Sequence, residues 1–195
     1  MTTIKAVTFD LWQTLIIDDN EKRRARTALR LERLIEVFET MGEMYTSDQV
    51  RDAYRACRRA CRQIRNQELD VSFPDQISMF LQNVDPELQE RLDTFEVEYL
   101  STVYRDLLFD VPPLLADGVL SVLKEMKERN YRLGLISNTD EIPGISHRAF
   151  LSEKGILDFM DVLTFSDEVG LTKPSSQIFL DTVSQLGATP GESVH

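Results

Sequence analysis

An α/β fold with a parallel sheet, interrupted early by a long helical insertion, is the fold class this sequence predicts. Three observations predict it. Ile4 to Phe9 is a short, largely apolar run of β-branched and aromatic residues that stops at Asp10, as expected of a strand covered on both faces. From Ala116 onward, amphipathic helical stretches alternate with short apolar ones, the pattern of βα units joined by right-handed crossovers. Between Asp18 and Leu108 no strand pattern stands out. The expected organisation is a discontinuous Rossmann-like core of residues 1–17 and 111–195, with residues 18–110 as a helical insert.

Taken in order, the first strand runs over residues 4–9, and Asp18-Asp19-Asn20 supplies turn and N-cap residues for a helix over about 21–41. Its expected buried stripe is Ala28, Leu31, Leu34 or Ile35, Phe38 and Met41. A second helix follows Thr46-Ser47-Asp48 and runs towards Gln67; Val50, Tyr54, Cys57, Cys61 and Ile64 form its apolar face. Both cysteines therefore read as core residues. Four apart on one helix, they form neither a disulfide framework nor a four-ligand metal set. Arg51, Arg55, Arg58, Arg62 and Arg65 line another face of the same helix, either as a solvated stripe or with one or two members overhanging a pocket. Helices are expected over 73–84 and 86–105, with Pro86 at a helix start. Val111-Pro112-Pro113 reads as the return hinge. In the second half, helices over 116–129, 143–154 and 174–186 alternate with strands over 132–136 and 161–165, Gly155 and Gly187 ending two of the helices.

Charge and composition narrow the function. The 195 residues are 42% hydrophobic, enough for a substantial core, and no apolar run approaches the roughly 18 residues of a membrane helix. With no basic segment leading into an apolar signal region, the cytoplasm is the default compartment, and no membrane partner is expected. The net charge of −11 disfavours nucleic acid. Yet residues 21–65 hold 12 Lys and Arg against 7 Asp and Glu, while the remainder carries −16. The basic stretch thus falls within the first half of the insert. A dinucleotide fingerprint, Gly-x-Gly-x-x-Gly, is absent, as is a Gly-x-Ser-x-Gly elbow, and only His147 and His195 are available to a Ser-His-Asp arrangement.

In open parallel sheets ligands collect at the carboxyl ends of the strands, where Asp10 sits. The segment Phe9-Asp10-Leu11-Trp12-Gln13-Thr14 resembles the first motif of the haloacid dehalogenase (HAD) superfamily. Leu133-Gly134-Leu135-Ile136-Ser137-Asn138 is similar to its second motif, and Lys173-Pro174 to its third. The resemblance covers the whole chain and implies that the helical insert is a cap that closes over the active site. It also implies roles. Asp10 is the nucleophile, forming an aspartyl phosphate or ester with a small anionic substrate. Ser137 Oγ, the amides of Leu11 and Asn138, and Thr14 would bind the transferred group. Lys173 would hold nucleophile and substrate together, since unit charges ~4 Å apart at an effective dielectric near 20 interact by about 4 kcal/mol.

Two departures from the family pattern bear on the reaction. Many phosphatases of the superfamily place a second Asp two residues after the nucleophile; here Trp12 stands there, and an indole N–H is neither acid nor base near neutral pH. An aromatic residue at that place is the pattern of the 2-haloacid dehalogenases, whose leaving halide needs no proton. The superfamily's fourth motif, an acidic pair that helps bind Mg2+, is not found; Val194-His195 reads as the opening of the strand before it, so a truncated core is expected, with the edge of the first strand exposed for pairing in a homo-oligomer. Asp10 and the Trp12 carbonyl would be Mg2+ ligands only with a further ligand beyond His195. The expected function is hydrolysis of a small phosphate monoester with Mg2+. The alternatives are metal-free 2-haloacid dehalogenation and a catalytically silent binding or regulatory role.

Overall fold

The computed structural model describes residues 3–195, so the first two residues of the expected core segment lie outside the described residues. Its centre is a four-stranded parallel sheet of β1 (Ala6–Phe9), β4 (Arg132–Ser137), β5 (Val162–Phe165) and β6 (Ser193–Val194), in the order β5-β4-β1-β6. Ala6 pairs with Arg132 and Phe9 with Leu135, while Gly134 pairs with Val162. The expected parallel sense of these strands holds, with β4 lying between β1 and β5. A crossover helix precedes or follows each strand, as a parallel sheet requires: α6 (Val119–Glu128), α7 (Gly144–Glu153) and α9 (Ser176–Gln185), with a single-turn α8 (Ser166–Val169) after β5. Helix α9 packs on β4 and β5, and Gly134 allows the close approach. A Cβ there would lie 2.9 Å from Leu186 Cδ1 and 3.1 Å from Thr8 Cγ2.

One expectation about the sheet is corrected. The outer edge of β1 is not bare: Ser193 and Val194 pair in parallel with Ala6 and Val7, Lys5 N donates to Glu192 O at 2.8 Å, and the His195 ring reaches Thr8 Oγ1 at 2.9 Å. The short β6 thus satisfies the half of the edge nearest the start of β1. A second, two-stranded antiparallel sheet escaped the sequence reading. It joins β2 (Ile16–Ile17) to β3 (Leu114–Leu115), the segments that leave and re-enter the core, and so pins the two connections of the insert side by side.

The insert is helical throughout its regular elements: α1 (Asn20–Thr40), α2 (Ser47–Arg65), α3 (Phe73–Val84), α4 (Leu88–Arg91) and α5 (Thr94–Arg105). Asp19 caps α1, while Thr46 with Gln49 and Asp93 with Glu96 form capping boxes on α2 and α5. That last box is the reason the helix expected over 86–105 is two: Leu92 is extended and Asp93 starts the next helix. The insert has its own apolar cluster around Leu34, Phe38, Tyr54, Cys57, Phe80 and Tyr104, separate from the one beneath the sheet around Leu11, Leu133, Leu135, Phe150 and Phe165. Both cysteines are buried there. The buried stripe of α1 differs from the expected one. It runs Arg26, Arg30, Leu34, Val37 and Phe38, and Ala28 is exposed. Two guanidinium groups with dedicated partners are buried in preference to a methyl group that has little to lose by exposure.

Candidate active site

Strand β1 ends at Phe9 and β4 at Ser137, adjacent strands whose carboxyl ends open on the same rim. Asp10 follows the first and Asn138 the second. Lys173 reaches this rim from the loop between α8 and α9, its Nζ 2.6 Å from Asp10 Oδ1 and donating to Ile136 O at 2.8 Å. The backbone of Lys173 is held as well: its N–H donates to Asn138 Oδ1 at 2.8 Å, and Asn138 Nδ2 donates to Lys173 O at 3.2 Å. Leu11 N donates to Asp10 Oδ1 at 2.7 Å. Oδ1 is therefore occupied by two donors, and Oδ2 is the oxygen free to react.

Four residues singled out in the sequence are thus brought together: Asp10, Leu11, Asn138 and Lys173. Two others are placed differently. Ser137 is fully buried, with Oγ donating to Asn138 O at 3.3 Å, and Thr14 is exposed on the turn, outside the cleft lining. The Leu11 amide spends its hydrogen on Asp10. Trp12 lines the cleft, with the Arg26 guanidinium 5.7 Å above its ring and His147 edge-on at 5.6 Å. His147 is buried, donates from Nδ1 to Pro143 O at 3.0 Å and leaves Nε2 without a partner among the described residues. Burial pulls its pKa down to about 4, a shift that Arg26 reinforces and the Pro143 carbonyl opposes.

The cleft above Asp10 encloses about 870 Å3 between the sheet rim and helices α1 and α2. Eight basic side chains and four carboxylates line it. Arg51, Arg55 and Arg58 of the predicted stripe are among them; Arg65 instead bonds Asp70 at 2.7 Å and Asp140 at 3.1 Å, and Arg62 lines a smaller neighbouring cavity. Sequence reasoning missed the contribution of α1. Arg26 is ion-paired with Asp18 and donates to Val111 O at 2.7 Å. Arg30, only 1% exposed, donates to Tyr104 O at 2.7 Å and to Tyr54 Oη at 3.0 Å, and lies 3.4 Å from Glu141, which also pairs with Arg58. Burial lowers the Arg30 pKa, but Tyr54, Glu141 and Tyr104 outweigh it and leave the group above its ordinary value. The i, i+4 spacing of Arg26 and Arg30 with Leu34 was the available signal. It pointed to one face, but not to a buried one.

Beside the lysine, Asp70 N donates to Gly170 O and Thr172 N to Glu68 O, both at 3.0 Å, so the loop after α2 runs along the segment that leads into Lys173. His195 also lies near the pair; burial and then Lys173 lower its pKa, with Asp10 opposing.

A family model for haloacid dehalogenase-like hydrolases matches residues 4–195. The chain belongs to that family. Among curated relatives, the glyceraldehyde 3-phosphate phosphatase of Methanothermobacter thermautotrophicus is 40% identical over 76 residues, 38% of this chain and 31% of the relative. A glyceraldehyde 3-phosphate phosphatase of Methanopyrus kandleri is 25% identical over 195 residues, 98% of this chain and 74% of that one. The chain thus matches less than a third of the length of the first relative and about three quarters of the second. Among solved structures, a HAD phosphatase from Thermococcus onnurineus superposes with a TM-score of 0.56 at 21% identity, over 97% of this chain and 75% of that one. A 2-haloacid dehalogenase from Pseudomonas syringae superposes with a TM-score of 0.62 at 20% identity, over 99% and 77%. These likenesses establish the HAD fold.

Magnesium was expected with phosphatase chemistry, and the donor set can be tested against it. Among the described residues no three of His, Cys, Asp and Glu converge as a metal site. Asp10 is the carboxylate at the rim, its Oδ1 already engaged, and Asp18 is turned into its pair with Arg26. One carboxylate oxygen and the Trp12 carbonyl do not make a Mg2+ site on their own.

Proposed function

We propose that this HAD-family chain is a hydrolase acting through an aspartyl intermediate on a small phosphate monoester, with residues 18–110 serving as the cap over the reacting pair. The observation that carries the reading is the 2.6 Å contact of Lys173 with Asp10 at the floor of a cleft with excess positive charge. Lys173 and the Leu11 amide hold Oδ1, so Oδ2 attacks phosphorus as the bond to the leaving oxygen breaks. The departing alkoxide takes a proton from water. A second water then attacks the aspartyl phosphate, releasing phosphate and restoring the carboxylate. Lys173 offsets the charge that accumulates as carboxylate and phosphoryl group approach. The phosphatase names of the curated relatives support the substrate class.

Trp12 favours a second reading. Where an acid would protonate the leaving group there is an indole, and the other carboxylates that line the cleft, Asp18, Asp140 and Glu141, are each ion-paired. Halide needs no proton, so displacement of halide from a 2-haloacid by Asp10 fits the same residues. The test is kcat/KM over a series of aryl and alkyl phosphates, beside chloride release from 2-chloropropionate, each with Mg2+ and with EDTA. A steep fall in phosphatase activity with rising leaving-group pKa supports the reading of Trp12. A flat series refutes it. Chloride release in EDTA without phosphate release replaces the phosphatase reading by the dehalogenase one, and full turnover by Asp10→Asn refutes both.

A further inference from the structure

We propose that the wall of the cleft formed by α1 is a second anion-binding position, so that the substrate carries a terminal phosphate or carboxylate held by Arg23 and Arg24 in addition to the group attacked at Asp10. The inference rests on the reading of Asp10 as the reacting centre. Its first support is volume. A cleft of about 870 Å3 is near the upper end of the about 300–1,000 Å3 typical of sites for drug-sized ligands, far more than a lone phosphate fills.

Its second support is the pairing of charges. Lys173 is matched by Asp10 and Arg26 by Asp18, while Arg30 and Arg58 share Glu141. Arg51 and Arg55 have Asp48 and Asp52 beside them on their own helix. Arg23 and Arg24 have no carboxylate within ion-pair distance among the described residues; Arg23 donates only to the side-chain oxygen of Asn20. In a chain of net charge −11, two adjacent unmatched arginines on one wall of the cleft make a local positive field that an anion relieves. Arg24, Ala28 and Leu31 follow at i, i+4 and i+7 on the same helix, and all three line the cleft. The apolar pair suits a short carbon spacer between the two anionic ends.

Binding separates this inference from catalysis. The 195-residue protein is titrated calorimetrically, at fixed ionic strength, with non-hydrolysable alkane-α,ω-bisphosphonates, ω-phosphonocarboxylates and alkylphosphonates of increasing length. At the best length a doubly anionic ligand is expected to bind at least about tenfold more tightly than the monophosphonate. Arg23→Gln/Arg24→Gln should reduce that ratio to about threefold or less, whereas Arg59→Gln/Arg129→Gln, which removes the same charge from outside the cleft, should preserve it. Glutamine is a good helix former, so circular dichroism should be unchanged. Preference for the bisphosphonate identifies the distal group as phosphate, and preference for the phosphonocarboxylate identifies it as carboxylate. Equal affinity for singly and doubly anionic ligands overturns the inference, as does a ratio that survives Arg23→Gln/Arg24→Gln or falls equally in the control. If no phosphonate binds, the reading of Asp10 fails with it.

Discussion

Glu141→Gln tests the electrostatic seam between the helical insert and the sheet. The substitution preserves shape and one acceptor oxygen while removing the charge that faces two guanidinium groups. Arg30 is buried and stands 3.4 Å from Glu141; at an effective dielectric near 20 such an attraction is about 5 kcal/mol before desolvation. Breaking a fully buried pair costs about 3–5 kcal/mol. The Glu141 side chain retains 17% exposure, and Arg30 keeps its bonds to Tyr104 and Tyr54, which lowers the expected cost to about 2 kcal/mol. The half-exposed Arg58 adds about 0.5 kcal/mol. A loss of about 2–3 kcal/mol corresponds to a Tm lower by roughly 5–10 °C for a chain of this size. Urea unfolding followed by circular dichroism measures it, and a double-mutant cycle with Arg30→Met isolates the Arg30 share. A loss below about 0.5 kcal/mol, the level of an ordinary surface substitution, would refute the argument that Glu141 anchors a buried cation.

Acid should destabilise the protein through His147. Its folded pKa of about 4 lies below the ordinary value of 6.5, so the stability from burying it neutral is present above about pH 6.5 and lost as pH falls towards 4, about 3 kcal/mol in all. His147→Gln should flatten that part of the stability profile; an unchanged slope would mean the ring is not buried neutral. Comparison with the parent protein cancels Asp167, whose pKa burial raises and whose contribution has the opposite sign. Phe80→Ala, at a buried ring stacked on Phe38 and tilted against Tyr104, should cost about 3–5 kcal/mol by the same urea assay, and a cost under 1 kcal/mol would show that the insert's core is loosely packed. Lys173→Ala should lower kcat/KM by a factor of about 100 or more, since about 3 kcal/mol of transition-state stabilisation is typical for one such charged group, and near-normal turnover would remove Lys173 from the mechanism. Trp12→Asp should accelerate turnover of alkyl phosphates more than of nitrophenyl phosphate; equal effects would show that leaving-group protonation is not limiting.

The parts of the fold legible in the sequence were those written by period and punctuation. Strand β1 ends at Phe9, β4 at Ser137, and Thr46 and Asp19 open helices, because each depends on neighbours along the chain. What stayed hidden depends on partners far away. The two-residue strands β2 and β3 are too short to show alternation and exist only because Ile16 and Leu115 meet across about a hundred residues of insert. The burial of Arg30 required Glu141 and Tyr104 to arrive from other elements. In the candidate site, Asp10 and Lys173 were legible because a resemblance linked them across the chain. Ser137 and Thr14 were assigned ligand roles by the same resemblance, and the structure buries one and exposes the other. No local pattern tells which way a hydroxyl on a turn will point.

The side-chain amide of Asn138 grips the lysine's peptide N–H and carbonyl at once, while Nζ returns to the Ile136 carbonyl, next to last in β4. Lysine, asparagine and strand end therefore hold together as one unit: replacing any of them frees the others. Such a unit is hard to alter piecemeal but easy to keep whole. Helices α1 and α2 stand outside it, joined to the rim by ion pairs at side-chain tips, so under the proposed function mutation there retargets recognition while the Lys173–Asp10 pair stays fixed. New specificities in a lineage of such chains should first accumulate as exchanges on those two helices. The short loop after β4 should change only together with the segment that carries Lys173.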